Sequence, residues 1–142
     1  MLCKEIVERI EAQAPRYFAY SKDNVGFLCG DEAAEVSAVL LTLDLDEGVV
    51  EEAKRVGANL IIGHHPIMYR GTKTLTLDAP ETRAIEKLFK YGITYYSEGE
   101  GNIRQTTSYS AAASSFLVYS FTSSTRTLSG FVPMLISLIS AT

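Results

Sequence analysis

Leu60-Ile61-Ile62-Gly63-His64-His65-Pro66 is the stretch whose reading decides the fold. Three apolar residues in a row, closed by a glycine, predict a short buried strand rather than a helix. The chain's two histidines follow at once. Working backward, Gly57 is a helix stop, and Val49, Val50, Ala53 and Val56 form the buried stripe of the helix before it. Glu51, Glu52, Lys54 and Arg55 supply its wet face, and Asp46 is placed to cap its start. Before that helix, Val36 to Leu45 (VSAVLLTLDL) is too apolar and β-branched for an exposed strand and reads as central. Two buried strands joined by one helix through short connections make a parallel βαβ unit with a right-handed crossover.

Working forward, Pro66 to Leu77 reads as a long loop or lid carrying Met68, Tyr69, Arg70 and Lys73. Asp78 with Glu81 has capping-box spacing, and Pro80 suits a first helical turn. That helix is expected to turn Ile85, Leu88 and Phe89 inward and to stop at Gly92. Ile93 to Ser97 is a third strand. Upstream, Cys3, Ile6, Val7, Ile10 and Ala14 recur at helical spacing, and Pro15 closes that helix. Asp23-Asn24 reads as a turn, and Gly26 and Gly30 bracket a short strand. The fold class is therefore α/β, a mainly parallel sheet with flanking helices around a β-α-β-α-β core.

The text changes near residue 98. All 17 acidic residues of the chain lie at or before Glu100. Residues 105–142 hold one charge, Arg126, and are rich in Ser and Thr without helical or alternating period. We divide the chain into an α/β metal-site domain, residues 1–104, and a Ser/Thr-rich, charge-poor tail, residues 105–142. The abrupt change is what a shifted reading frame or a degenerate remnant would produce. Resequencing the locus tests this, since another frame would then encode a histidine-rich continuation.

Composition narrows the function classes. A net charge of −4 argues against non-specific nucleic-acid binding. Cys3 and Cys29 have no metal-type spacing and fit a reducing, cytoplasmic setting. The N-terminus lacks a signal-peptide core, and no apolar run approaches the ~18 residues of a membrane span. Phosphate-cradling glycine loops, nucleophile elbows and Cys-x-x-Cys pairs are absent.

What remains is the sheet edge. Strand ends of one polarity gather on one edge of a parallel sheet, where ligands bind. Asp44 and Asp46 end one central strand, His64 and His65 end the next, and Glu98 and Glu100 follow the third. Neighbouring residues on a strand point to opposite faces, so both imidazoles can serve one site only if Gly63 and Pro66 bend the backbone. Otherwise each serves a different ion of a pair. Two divalent ions about 3.5–4 Å apart need bridging carboxylates and activate a shared water. Imidazole with carboxylate suits Zn, Fe, Mn, Co or Ni. The plainer alternatives are loop-capping histidines, a cap and a strand-end carboxylate at Asp46 and Asp44, and a solvated acidic turn at Glu98 and Glu100. Asp23 and Asn24 are turn formers, or a polar loop facing the histidine edge. Arg70 and Lys73 are solvated charges, or hold an anionic substrate.

Asp23-Asn24-Val25-Gly26, Leu43-Asp44 and Gly57-Ala58-Asn59-Leu60-Ile61-Ile62-Gly63-His64-His65-Pro66-Ile67 together resemble the dinuclear metal centre, hexameric protein family, often catalogued as GTP cyclohydrolase I type two. The likeness runs over residues 1–97 in order and spacing. It implies an α/β fold, a pair of divalent metal ions in each subunit and a ring of six chains. It makes His64 and His65 two of the metal ligands. The family's third strand leads into a histidine-threonine-asparagine-leucine-aspartate segment whose aspartate joins the metal pair. Here the corresponding stretch is Glu98 to Arg104: Asn102 and Ile103 fit, and Arg104 stands in the aspartate's place. The remaining family ligands, a histidine and a glutamate from its C-terminal half, have no counterpart in this sequence.

Two functions follow as expectations. The first is a divalent-metal-dependent hydrolase of a GTP-like or other small substrate, with His64 and His65 as ligands and Asp44 facing the metal or bracing a ligand. The second is a non-catalytic metal-binding or oligomeric interaction module. Either is expected to be a homo-oligomer without membrane or nucleic-acid partners. No residue is singled out as the general acid or base.

Overall fold

A computed structural model describes residues 1–13 and 15–99 and the backbone of residues 117–120. In chain order the elements are α1 (Cys3–Gln13), a 3₁₀ turn (Arg16–Phe18), β1 (Gly26–Cys29), β2 (Ala38–Thr42), α2 (Glu47–Val56), β3 (Leu60–Gly63), α3 (Pro80–Tyr91), β4 (Thr94–Ser97) and β5 (Leu117–Ser120). They build one sheet in the order β1-β4-β3-β2-β5. β5, β2, β3 and β4 run parallel, and β1 closes the far side antiparallel to β4.

Helices cover both faces of the sheet. On one face Cys3, Ile6, Val7 and Ile10 of α1 meet Val39, Leu41, Leu60, Ile62 and Tyr96. On the other, Val49, Val50 and Ala53 of α2 and Ala84, Ile85 and Leu88 of α3 meet Ala38, Leu40, Ile61 and Tyr95. Alternate strand residues thus feed opposite cores, which is why β2, β3 and β4 are buried on every residue.

Local signals set most boundaries. Asp46 caps α2 by accepting the Val49 N–H at 2.9 Å. Gly57 ends it in the left-handed region at φ 75°, where a side chain would be strained. The start of α3 departs from expectation: its N-cap is Ala79, with no side-chain cap. Pro80 sits in the first turn, where its missing N–H costs nothing. The Asp78–Glu81 capping box does not form. Asp78 bonds Thr76 instead, and Glu81 accepts the backbone N–H of Met68. Phe89 is a second correction. It lies about 100° round the helix from Leu88 and is 63% exposed.

Within residues 105–142, the backbone of Leu117–Ser120 pairs in parallel with Ala38–Leu41. The rest of the tail, and Glu100, Asn102, Ile103 and Arg104, lie outside the described residues.

Candidate metal centre

The site forms where β3 ends between its neighbours. Gly63 closes the strand because Tyr95 leaves no room for anything larger. A Cβ on Gly63 would collide with the Tyr95 ring and hydroxyl. Beyond Gly63 the backbone stays held on both sides. The His64 and His65 N–H groups donate to Thr42 and Leu43 carbonyls at 3.1 and 2.9 Å. The His64 carbonyl accepts from the Gly99 N–H at 3.2 Å and from the Ser97 hydroxyl at 3.3 Å. The His65 carbonyl accepts the Tyr95 hydroxyl at 2.8 Å.

This clamped bend puts the two imidazoles together. Their ring centroids lie 4.8 Å apart with planes tilted by 39°. Each ring meets a carboxylate through the same nitrogen. His64 Nδ1 lies 3.3 Å from Glu98 Oε1, and His65 Nδ1 lies 2.7 Å from Asp44 Oδ1. A carboxylate on Nδ1 favours the tautomer with its proton there, which leaves Nε2 as the lone-pair nitrogen. That is the arrangement in which a second-layer carboxylate orients a metal-binding histidine. The two pairs differ in setting. His64 and Glu98 are buried, whereas the Asp44 carboxylate is mostly in water. Burial raises the Glu98 pKa, and the hydrogen bond from His64 opposes that rise.

The structure brings His64, His65, Asp44 and Glu98 together. Glu98 corrects one expectation, because its side chain is fully buried rather than part of a solvated turn. Gly99, at φ 80°, lets the chain turn so closely that an added Cβ would strike Val25 and approach Asp23 and Ala19. The loop carrying Asp23 and Asn24 therefore lies against the same edge, and Asn24 Nδ2 reaches the Met68 carbonyl at 3.5 Å. Asp46 stays a helix cap, and Glu100 is outside the described residues. The carboxylate partners of the imidazoles are non-local, so spacing alone does not pair them. Tyr95 was missed, although a glycine before two histidines hints at a bulky neighbour. Among the described residues no group of three or more His, Cys, Asp or Glu side chains has the arrangement of a complete metal site.

Residues 1–98 match the family model described as Duf34/NIF3 (NGG1p interacting factor 3). The chain belongs to this family. A GTP cyclohydrolase 1 type 2 homolog of Clostridium perfringens is 40% identical over 97 residues, covering 68% of this chain and 37% of the relative. One from Bacillus subtilis is 34% identical over 94 residues, covering 66% and 25%. Among solved structures, a Bacillus cereus protein related to NIF3 superposes with a TM-score of 0.68 at 34% identity, covering 72% of this chain and 28% of that one. Reduced HcgD from Methanocaldococcus jannaschii does so with a TM-score of 0.63 at 28% identity, covering 68% and 39%. This Duf34/NIF3 chain thus spans about a quarter to two-fifths of the length of these relatives. No helix among the described residues is long and apolar enough to cross a membrane.

Proposed function

We propose that this Duf34/NIF3 chain carries the histidine side of a divalent-metal centre and serves a metal-dependent hydrolase of a small, GTP-like molecule. The observation that carries the reading is the matched pair of contacts, His64 to Glu98 and His65 to Asp44, on imidazoles 4.8 Å apart. His64 and His65 would hold the ion through Nε2. Glu98 and Asp44 keep the rings oriented through Nδ1 and add the negative charge that favours a cation. When bound, the ion supplies Lewis-acid activation of water. The donors are imidazole and carboxylate, which suits Zn, Fe, Mn, Co or Ni. Of the two carboxylates, Asp44 is the exposed one. The GTP-like substrate comes from the names of the relatives.

A second reading has its own observation. Two histidines without a third ligand among the described residues suit a metal-binding or oligomeric interaction module that performs no turnover. A homo-oligomer, a ring of six by the family resemblance, is part of both readings. A cytoplasmic setting is also proposed, supported by two free, buried cysteines.

GTP turnover by the purified chain, with Zn or Mn added, separates the two. Turnover lost in both His64→Ala and His65→Ala supports the hydrolase. Bound metal without turnover supports the module. Light scattering gives the assembly state.

A further inference from the structure

Beside His65 the surface opens into two adjoining hollows. One, of about 230 Å³, is lined by Asp23, His65, Pro66 and Tyr69. The other, of about 310 Å³, is lined by Tyr20, Ser21, Lys22, Asp23 and Tyr69. Asp23 and Tyr69 line both, so the two lie side by side. Tyr20 and Tyr69 remain 55% and 50% exposed, although each carries a large apolar ring.

Both walls are fixed by the fold. Tyr69 follows Met68, the one described non-glycine residue in the left-handed region, at φ 60°. Met68 is held there from several sides. Glu81 accepts its N–H, while the Gly71 N–H, at 2.9 Å, and Asn24 reach its carbonyl. A strained backbone persists only where its surroundings over-determine it. The opposite wall is set by the close approach of Gly99 to Val25 and Asp23, and by a turn in which the Asp23 N–H donates to the Tyr20 carbonyl at 2.9 Å. Aromatic rings lining a hollow together with a carboxylate suit a flat ligand that stacks and donates hydrogen bonds.

We propose that the two hollows form one ligand cleft for a planar nitrogen heterocycle. Tyr20 and Tyr69 pack against its faces, Asp23 accepts from its N–H groups, and the rest of the ligand reaches toward His65. This deepens the hydrolase reading by assigning the part of the site that recognises substrate, and rests on it only for the direction in which the ligand lies.

The test uses the full chain dialysed against a chelator, with guanosine, adenosine and ribose as calorimetric probes. Guanine offers a carboxylate two adjacent N–H donors and adenine offers one amino group. Guanosine is expected to bind best, adenosine more weakly, and ribose without detectable heat. Tyr69→Leu and Tyr20→Leu should each weaken guanosine about tenfold or more, while Tyr69→Phe stays within about threefold. Asp23→Asn should remove the preference for guanosine over adenosine. Ribose binding as well as guanosine, or both leucine variants binding like the parent, overturns the cleft. Metal content of His64→Ala and His65→Ala is measured separately. It decides the metal centre without bearing on the metal-free cleft.

Discussion

Tyr95 packs its ring against the backbone of Gly63 and sends its hydroxyl past it to the carbonyl of His65, 2.8 Å away. The side chain that closes one core therefore also holds the turn that aims the histidines. Gly63→Ala must displace Tyr95 or the strand. It is expected to destabilise the chain by about 1–3 kcal/mol, as an overpacked core does. Tyr95→Phe should cost about 1 kcal/mol through the lost hydrogen bond. Urea unfolding midpoints check both values, and a Gly63→Ala midpoint equal to the parent's would contradict the packing.

The two histidine–carboxylate pairs should behave differently. Asp44 is largely solvated, and an exposed ion pair contributes little to stability. Asp44→Asn should leave the thermal midpoint nearly unchanged while weakening metal about 10- to 100-fold, the usual effect of losing an orienting partner. Glu98→Ala leaves His64 facing a buried gap and should lower both. Titration with a chromophoric chelator alongside a thermal melt separates the two variants. Equal effects at both positions would show that the pairs have no separate roles.

Burial pushes the Cys29 thiol up to about 11 from 9.0, and also raises Cys3. Above pH 9 the unfolded thiol loses its proton while the folded one keeps it. This contribution to stability is thus complete below about pH 9 and is lost as pH rises toward 11. For Cys29 the loss amounts to about 1–3 kcal/mol. Denaturant midpoints between pH 8 and 11 should fall, and less so in Cys29→Ala. Iodoacetamide should label both thiols slowly in the native chain and quickly in urea.

Met68 stores backbone strain that glycine would not carry. Met68→Gly should stabilise or leave stability unchanged, whereas Glu81→Ala, which abandons the Met68 N–H, should destabilise by about 1 kcal/mol. Thermal midpoints of the two variants decide this. A fall with Met68→Gly larger than that with Glu81→Ala would show that side-chain packing, not the clamp, sets the loop.

How much was legible in the sequence depended on range. Asp46, Gly57 and Gly92 act within a turn of their helices and read correctly from spacing. The buried run at Leu60 to Ile62 read as central because both faces must be covered. Asp78 and Glu81 misled because a carboxylate 13 residues from Met68 found a better partner there than in a capping box. Spacing leaves Glu98 open between a site carboxylate and a solvated turn, because its full burial depends on tertiary packing that spacing does not carry. The histidine pair was readable as a candidate site. Its pairing with Asp44 and Glu98 required the parallel register that sets three strand ends side by side.

The clamped imidazoles of His64 and His65 are proposed to capture a divalent ion. Elemental analysis of the purified full chain after exhaustive dialysis in metal-free buffer tests it most directly. Bound transition metal is expected in the parent and its loss in both His64→Ala and His65→Ala. Metal at blank level in the parent, or unchanged content in the two variants, would contradict it.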